Sequence, residues 1–305
     1  MKLIVQPDDG VVPVVLALQR ARRALDLPIF RLDHIEVEKA IRAAVRRGVA
    51  VRTLIAHTAT GAEKALRKLE QRLLATGATV SRTADDLIRY HNKIVIVDRA
   101  LLYVLGFNYT RLDIDKSRSF GVATRNRRLV AEAIKLFEAD FDRRPYVPGH
   151  KDLVVSPINA RLRLSAFLRA ARKELLIYDD SVKDKGMIKV LQDRARSGVA
   201  IRILGKIEKE VDGVRVEKFP GKRLHVRAIV QDGRKAFVGS QSLRRLELEG
   251  RREVGVILSD RRIVREMARV FEEDWAATES GRKQAKQAEK EAATKAGGRR
   301  RSHAA

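Results

Sequence analysis

The chain alternates short apolar runs typical of β-strands with longer segments of helical periodicity. Residues 28–32 and 49–55 are apolar and partly β-branched, and residues 35–47 between them carry apolar positions at helical spacing. A further helical pattern covers residues 12–25. Strands that alternate with helices predict an α/β fold in which helices cover a sheet.

The second half of the chain repeats this order. Residues 47–52 resemble residues 197–202, and the pattern around them predicts a helix at 165–173, a strand at 175–178, a helix at 185–197 and a strand at 199–204. The offset between the two copies falls from 150 to 134 further along the chain. The first copy therefore carries an insertion around residues 59–83.

Both copies end in the same elements. They are predicted strands at 93–97, 101–105, 227–230 and 236–238, and closing helices at 126–142 and 263–277. We therefore divide the chain into repeats at 1–145 and 146–277, followed by a basic tail at 278–305. That tail is rich in Ala, Lys, Gln, Glu and Arg, so it is either a frayed helix or disordered, and we expect disorder.

Composition narrows the class of protein. The chain is 45% hydrophobic and 34% charged, contains no cysteine, and carries a net charge of +25. Disulfides and thiolate metal sites are excluded, while attraction to nucleic acid or an anionic bilayer is expected. We find no signal peptide and no apolar run of about 20 residues that could span a membrane. A cytoplasmic location is expected, with peripheral binding at the inner face of the membrane.

A polar motif occurs once in each repeat. A histidine precedes a cation by two residues and an aspartate by seven, and a glycine-containing turn follows. The corresponding residues, all 134 apart, are His91 and His225, Lys93 and Arg227, and Asp98 and Asp232. Such a match in register indicates two half-sites that meet in one composite site.

Paired histidines beside cations suit displacement at phosphorus. Residues at i and i+2 of a strand share a face, so each histidine projects together with its cation. One imidazole can attack phosphorus while the other protonates the departing alkoxide. Lys93 and Arg227 would neutralise the non-bridging oxygens, and Asn108 would donate from its turn. No metal or other cofactor is required.

The doubled His-x-Lys-x4-Asp pattern, with its Asn-containing turn, resembles the phospholipase D superfamily over about residues 1–277. The resemblance implies an α/β/α sandwich in each half and one active site at their interface. It also implies that His91, Lys93, Asn108, His225 and Arg227 line the phosphate site. The aspartates Asp98 and Asp232 would lie beside it and brace the local structure. Two motifs in one chain mean that no dimer is needed to complete the site.

The second repeat departs from the family pattern. Arg227 replaces a lysine, and Gln241, after Ser240 in the turn, stands near the usual asparagine. Family members also carry a glutamate that hydrogen-bonds a catalytic histidine. Repeat 2 has Glu253 there and repeat 1 has Ser119, so we expect Glu253 to support His225 as the general acid. His91, facing only the hydroxyl of Ser119, would then be the nucleophile.

Three functions remain open. The first is a phospholipase D-type phosphodiesterase or phosphatidyltransferase that acts on phospholipid through a phosphohistidine, at an anionic membrane surface. The second is a metal-independent nuclease of the same superfamily, although aromatic residues for base stacking are only 5% of the chain. The third is a non-catalytic protein that binds anionic lipid or nucleic acid. Asp113 and Asp115 near the first motif are interpreted as a solvated turn.

Overall fold

The computed structural model describes residues 1–58 and 63–301. The first repeat forms, in chain order, β1 (Lys2–Gln6), α1 (Val12–Arg20), β2 (Ala24–Pro28), α2 (Ile35–Arg46), β3 (Ala50–Ile55), α3 (Glu63–Leu74), β4 (Thr79–Arg82), β5 (Arg89–Tyr90), β6 (Ile94–Val97), β7 (Leu101–Leu105), α4 (Arg111–Asp115), β8 (Ser117–Thr124) and α5 (Arg127–Phe141). The second repeat forms β9 (Leu153–Val155), α6 (Ala160–Arg169), β10 (Glu174–Val182), α7 (Lys185–Arg196), β11 (Ala200–Ile207), β12 (Val214–Glu217), β13 (Arg223–Leu224), β14 (Arg227–Gln231), β15 (Lys235–Gly239), α8 (Arg245–Glu249), β16 (Arg251–Arg252), β17 (Val254–Leu258) and α9 (Arg261–Ala276), and α10 (Glu279–Arg301) follows.

Each repeat contributes one mixed sheet, and the two sheets have equivalent strand orders. The first runs β1-β8-β7-β6-β2-β3-β4. The second, read from the corresponding edge, runs β9-β17-β15-β14-β10-β11-β12. Each sheet contains a parallel pair, which is β2 with β3 in the first and β10 with β11 in the second. The strand that follows the motif histidine, β6 or β14, pairs antiparallel with β2 or β10. The α/β architecture with two repeated halves is therefore confirmed.

Three apolar clusters define the layers of the molecule. One cluster packs the first sheet against α1, α2 and α3, and another packs the second sheet against α6 and α7. The third and largest joins the facing sides of the two sheets together with α5 and α9. This shared core fixes the position of one half relative to the other, so that both motifs can contribute to one cleft.

The short strands that precede the two histidines are exchanged between the halves. β5 of the first repeat pairs with β16 of the second, and β13 of the second repeat pairs with β8 of the first. The exchange continues into the motifs: the N–H of His91 donates to the carbonyl oxygen of Arg252 (2.8 Å), and the N–H of His225 donates to that of Arg118 (3.1 Å). Each histidine therefore lies against the strand of the opposite repeat.

Some elements differ from those expected from the sequence. The first helix ends at Arg20 instead of continuing to residue 25, and the next strand is β2 instead of residues 28–32. The apolar pattern did not predict β2 because Asp26 interrupts it. In the structure Asp26 is buried, and its Oδ1 lies 2.7 Å from Nε of Arg52. Burial of a paired carboxylate keeps the strand in the sheet.

The insertion and the tail each contain a helix. The insertion contains α3, which packs Leu66, Leu69 and Leu73 onto the first sheet, while residues 59–62 lie outside the described residues. Glu279–Arg301 form the helix α10, which corresponds to the helical one of the two alternatives for the tail, and residues 302–305 lie outside the described residues. Ala, Lys, Gln, Glu and Arg are strong helix formers, which accounts for this helix. Along the described chain, no helix combines the length and apolarity needed to cross a bilayer.

Candidate active site

The motifs meet in a cleft of about 400 Å³ between the two halves. Its walls come from α4 and from residues at or next to the ends of β2, β5, β7, β10, β13, β14 and β16. The lining residues are Phe30, Arg31, Asp33, Arg89, His91, Asn108, Thr110, Leu112, Asp113, Asp180, Arg223, Leu224, His225, Arg227 and Arg251. Both histidines therefore face one space, as a composite site requires.

His91 is held by Glu253, and not by the first repeat. Nδ1 of His91 lies 2.9 Å from both carboxylate oxygens of Glu253, which is fully buried. The expected partnership between Glu253 and His225 is therefore wrong. The physical reason is the strand exchange, which places His91 beside Arg252 and therefore beside Glu253.

The electrostatics of this pair reflect its burial. Burial, followed by the charges of Lys93 and Arg227, holds the pKa of His91 well below its ordinary value. Burial also raises the pKa of Glu253 to about 7, against the opposing charge of Lys93. With Glu253 accepting from Nδ1, Nε2 of the neutral imidazole carries the free lone pair.

His225 faces Asp113, which is not a solvated turn residue as expected. Asp113 is buried, and its Oδ2 lies 3.5 Å from Nδ1 of His225. The same oxygen accepts hydrogen bonds from the backbone N–H (2.9 Å) and Nδ2 (2.6 Å) of Asn108, and Oδ1 lies 2.6 Å from Nη1 of Arg223. Burial, followed by the charge of Arg227, lowers the pKa of His225 to about 2.

The two motif cations occupy different positions. Lys93 is only 1% exposed, its Nζ donates to the carbonyl oxygen of His91 (2.7 Å), and burial lowers its pKa to about 7. Arg227 lines the cleft, and its Nη2 lies 3.0 Å from Oδ1 of Asp180. Arg227 thus faces the space that a phosphate would occupy, whereas Lys93, which we expected to line the phosphate site, is not among the lining residues and donates to the backbone of His91.

The turns after the motif strands are less symmetrical than their sequences suggest. Asn108 lines the cleft, but Ser119 and Ser240 are buried beside it, and Ser240 exchanges weak hydrogen bonds with the backbone of Val254 (3.3 and 3.4 Å). Gln241 donates to the carbonyl oxygen of Val154 (2.9 Å) and so has a structural role. Alignment of β7 with β15 shows that Ser242, and not Gln241, corresponds to Asn108.

Asp98 and Asp232 lie at the far ends of the motif strands from the histidines. The carboxylate of Asp98 accepts backbone N–H groups of residues 22–24 (2.7–3.1 Å), and Asp232 does the same for residues 172–174. Burial opposes ionisation of both, but these hydrogen bonds prevail and lower the pKa of each carboxyl group. Both residues tie a motif strand to the start of its neighbouring parallel strand.

An apolar pocket of about 340 Å³ adjoins the cleft. It lies between the first sheet and α3, and its apolar wall is formed by Leu32, Ala56, Ala65, Leu66 and Leu69. Phe30, Arg31, Asp33, Arg89 and Thr110 line both spaces. An anionic group in the cleft could therefore be attached to an apolar group in the pocket.

The positive charge of the site comes from arginine side chains. Within residues 1–58 and 63–301, no group of three or more His, Asp and Glu side chains has an arrangement suited to a metal ion. The cations that face the cleft are arginines from both repeats. This arrangement is suited to an anionic substrate.

Comparison with known families identifies this architecture. The family model for the PLD-like domain of cardiolipin synthase matches residues 14–141 and 164–275. The chain belongs to the phospholipase D superfamily. One matched segment lies within each repeat, and each segment contains one histidine motif. No curated protein matches the chain by sequence.

Solved structures of low sequence identity share the fold. A polyphosphate kinase from Porphyromonas gingivalis matches 89% of this chain with a TM-score of 0.74 and 19% identity, and the chain spans 49% of that protein. A phosphatidylserine synthase from Haemophilus influenzae Rd KW20 matches 88% of the chain with a TM-score of 0.65 and 9% identity, over 84% of its own length. Superfamily members are typically phosphoryl-transfer enzymes, and at these identities the likeness concerns the fold alone.

Sequence reasoning missed several residues of the cleft. Asp113 and Glu247 are 134 residues apart, as are Arg89 and Arg223, so the repeat offset contained a signal for all four. Their surroundings differ, because Arg223 pairs with Asp113 whereas Glu247 pairs with Arg244 (2.6 Å) and Arg251 (3.0 Å). For Phe30 and Asp180 the sequence contained no comparable signal.

Proposed function

We propose that this protein is a phosphodiesterase or phosphatidyltransferase that acts on phospholipid through a phosphohistidine on His91. The observation that carries the proposal is the pair of histidines in one cationic cleft, each with its own carboxylate. Because Glu253 accepts from Nδ1 of His91, Nε2 is free to attack phosphorus. His91 therefore remains the proposed nucleophile. The reason is now its carboxylate partner, whereas the sequence had suggested His91 because it appeared to lack one.

The reaction then proceeds in two displacements. Nε2 of His91 forms a bond to phosphorus as the bond to the head-group alcohol breaks, and His225 gives that alkoxide its proton. His225 next removes a proton from water or an acceptor alcohol, whose oxygen attacks phosphorus and releases His91. Arg227 neutralises non-bridging oxygens in both steps, while Lys93 supplies positive charge from behind His91.

Protonation of His225 depends on the substrate. Burial, and then the charge of Arg227, lowers its pKa to about 2. A bound phosphodiester anion offsets that charge and adds to the effect of Asp113, so the pKa of His225 rises when substrate binds. Substrate binding therefore favours the protonated form of His225 that the first displacement uses.

The adjoining pocket supports lipid as the substrate. Its wall is aliphatic, and Leu112 at the cleft is 52% exposed although it is a large apolar residue. Acyl chains suit such surfaces, whereas nucleobases prefer aromatic platforms. The basic chain, with its net charge of +25, favours an anionic bilayer as the site of action.

The reaction is tested with labelled phosphatidylglycerol, phosphatidylcholine, and single- and double-stranded DNA, each without added metal. Release or transfer of a lipid head group that disappears in His91→Ala is expected. DNA cleavage that disappears in His91→Ala would instead support a nuclease, which the arginine-rich cleft also suits. Binding without turnover on any substrate would support a non-catalytic protein.

The apolar pocket provides a second, independent test. Each buried methylene contributes about 0.8 kcal/mol, or about fourfold in affinity, so KM should fall steeply as short-chain phospholipids lengthen. Ala65→Trp, which fills the pocket from an exposed position, should flatten this dependence, and Lys68→Trp on the same helix should not. A chain-length dependence that survives Ala65→Trp would contradict the pocket's assignment.

A further inference from the structure

Three arginines form a second cationic cluster beside the catalytic histidines. Arg31, Arg89 and Arg251 all line the cleft. Arg89 and Arg251 are register partners in the exchanged strands β5 and β16, and the guanidinium carbons of Arg31 and Arg89 lie 5.4 and 5.3 Å from the ring centroid of Phe30. We call Arg31, Arg89 and Arg251 the arginine cluster.

The arginine cluster is close to the reacting groups. The Phe30 ring that contacts Arg31 and Arg89 also meets the ring of His91 edge-on, with centroids 4.5 Å apart. Nζ of Lys93 lies 5.8 Å from the same ring centroid. One aromatic side chain therefore separates the proposed nucleophile from the arginine cluster, which places the cluster within reach of a neighbouring phosphate on the same molecule.

The positive charges of the arginine cluster have fewer carboxylate partners than the equivalent arginine of the other repeat. Arg223, the counterpart of Arg89, forms an ion pair with Asp113 at 2.6 Å. Neither Arg31 nor Arg89 forms an ion pair within the described ranges 1–58 and 63–301, and only Arg251 of the cluster pairs with a carboxylate, that of Glu247. Burial and the charges of Arg251 and Arg31 lower the pKa of Arg89, despite the opposing charges of Glu253 and Glu247.

Unpaired guanidinium groups that repel one another in a cleft are stabilised by a bound anion. Asp33 also lines the cleft, but it accepts the backbone N–H of Arg111 at 2.8 Å. We propose that the arginine cluster is a subsite for a second phosphate group of the substrate, next to the phosphate that His91 attacks. This subsite rests on the proposed function for the identity of the first phosphate position.

The subsite is tested by anion binding, independently of turnover. Inorganic pyrophosphate and orthophosphate are titrated calorimetrically into the full chain at fixed pH and ionic strength. Because charge-assisted hydrogen bonds to a second phosphate each contribute substantially, pyrophosphate should bind about tenfold or more tightly than orthophosphate. Arg89→Gln and Arg31→Gln should each reduce this preference, whereas Arg196→Gln, an exposed arginine at the end of α7, should leave it unchanged.

The outcomes separate the subsite from the proposed function. Equal affinity for the two anions, or a preference that both substitutions leave intact, would overturn the subsite while leaving the reaction at His91 untouched. Loss of orthophosphate binding in Arg89→Gln would also overturn it, because the cluster would then serve the first phosphate. Wild-type protein that binds neither anion and has no turnover would contradict both proposals.

Turnover then identifies the source of the second phosphate. Three lipids are compared: a diacylglycerol linked through a diphosphate ester, a phosphatidyl lipid with a phosphomonoester on its head group, and a lipid without a second phosphate. The substrate whose kcat/KM falls about tenfold in Arg89→Gln carries its second phosphate in the subsite. An equal fall for all three lipids would contradict a subsite specific for a second phosphate.

Discussion

Glu253→Gln tests the division of labour between the two histidines. The substitution preserves size but removes the carboxylate that lies 2.9 Å from Nδ1 of His91. A hydrogen bond to a charged group contributes about 1.5–3 kcal/mol, which corresponds to about 10- to 150-fold in rate. An amide that donates to Nδ1 would also place the imidazole proton on Nε2, the attacking atom, so we expect the upper end of this range.

The assay isolates the first displacement. A bis(p-nitrophenyl) phosphate substrate releases p-nitrophenolate, which needs no proton, so His225→Ala should still form the phosphoenzyme but hydrolyse it slowly. The burst of p-nitrophenolate in that background reports attack by His91 alone. Adding Glu253→Gln should slow the burst about 10- to 150-fold. The phosphoenzyme should be labile to acid, as a phosphohistidine is.

The control is Glu132→Gln, which changes a buried carboxylate remote from the cleft that accepts from the hydroxyl of Tyr146 at 2.5 Å. It should leave the burst unchanged, apart from any loss of folded protein. If adding Glu253→Gln to His225→Ala leaves the burst rate within twofold of that of His225→Ala alone, the role of Glu253 is refuted. A burst that survives His91→Ala and disappears in His225→Ala would reverse the two histidines.

Three other substitutions give distinct results. Burial raises the pKa of Glu253 to about 7, so the fold loses stability as the pH rises from the ordinary pKa of a carboxyl group towards that value. Glu253→Gln should therefore raise the free energy of unfolding by about 1–3 kcal/mol at pH 8 and show little gain at pH 4. Asp98→Asn should lower that free energy by about 1–3 kcal/mol in urea titrations while kcat of the folded enzyme is retained, because the carboxylate binds backbone N–H groups and lies away from the cleft. Leu112→Ser should reduce activity on anionic vesicles more than activity on a monomeric short-chain lipid, and Leu162→Ser, a 70% exposed leucine of α6, should change neither. Equal losses on vesicles and monomers would contradict a membrane-facing role for Leu112.

The repeat offset explains how much of this molecule could be predicted from its sequence. A constant spacing of 134 residues between the motif histidines, cations and aspartates predicted two equivalent halves and one composite cleft, and the structure has both. The same regularity misled us about Glu253. Its distance along the chain associates it with His225, whereas the exchange of β5 and β13 places it on His91. Pairing between two halves is a three-dimensional property that spacing within each half does not encode.

Other features depend on how elements pack. Asp113 looks like a surface residue in sequence because it is one of several charged residues in a short segment, yet α4 carries it into the cleft, where Asn108 and Arg223 satisfy its carboxylate. The apolar pocket exists only because α3 lies across the end of the first sheet. The segment around Asp113 has a counterpart around Glu247 in the second repeat, whereas the insertion that contains α3 has none. The pocket was therefore the harder of the two features to predict.

The unequal carboxylates are what make the two histidines chemically different. Glu253 is fully buried and directs both oxygens to Nδ1 of His91, so that imidazole is held in one tautomer. Asp113 divides its oxygens among Asn108, Arg223 and His225, and its approach to His225 is longer at 3.5 Å. A tightly held imidazole suits attack, whereas a loosely held one can gain and lose a proton as charge moves through the cleft. Because each carboxylate lies beside the histidine of the opposite motif, the proposed reaction requires both repeats.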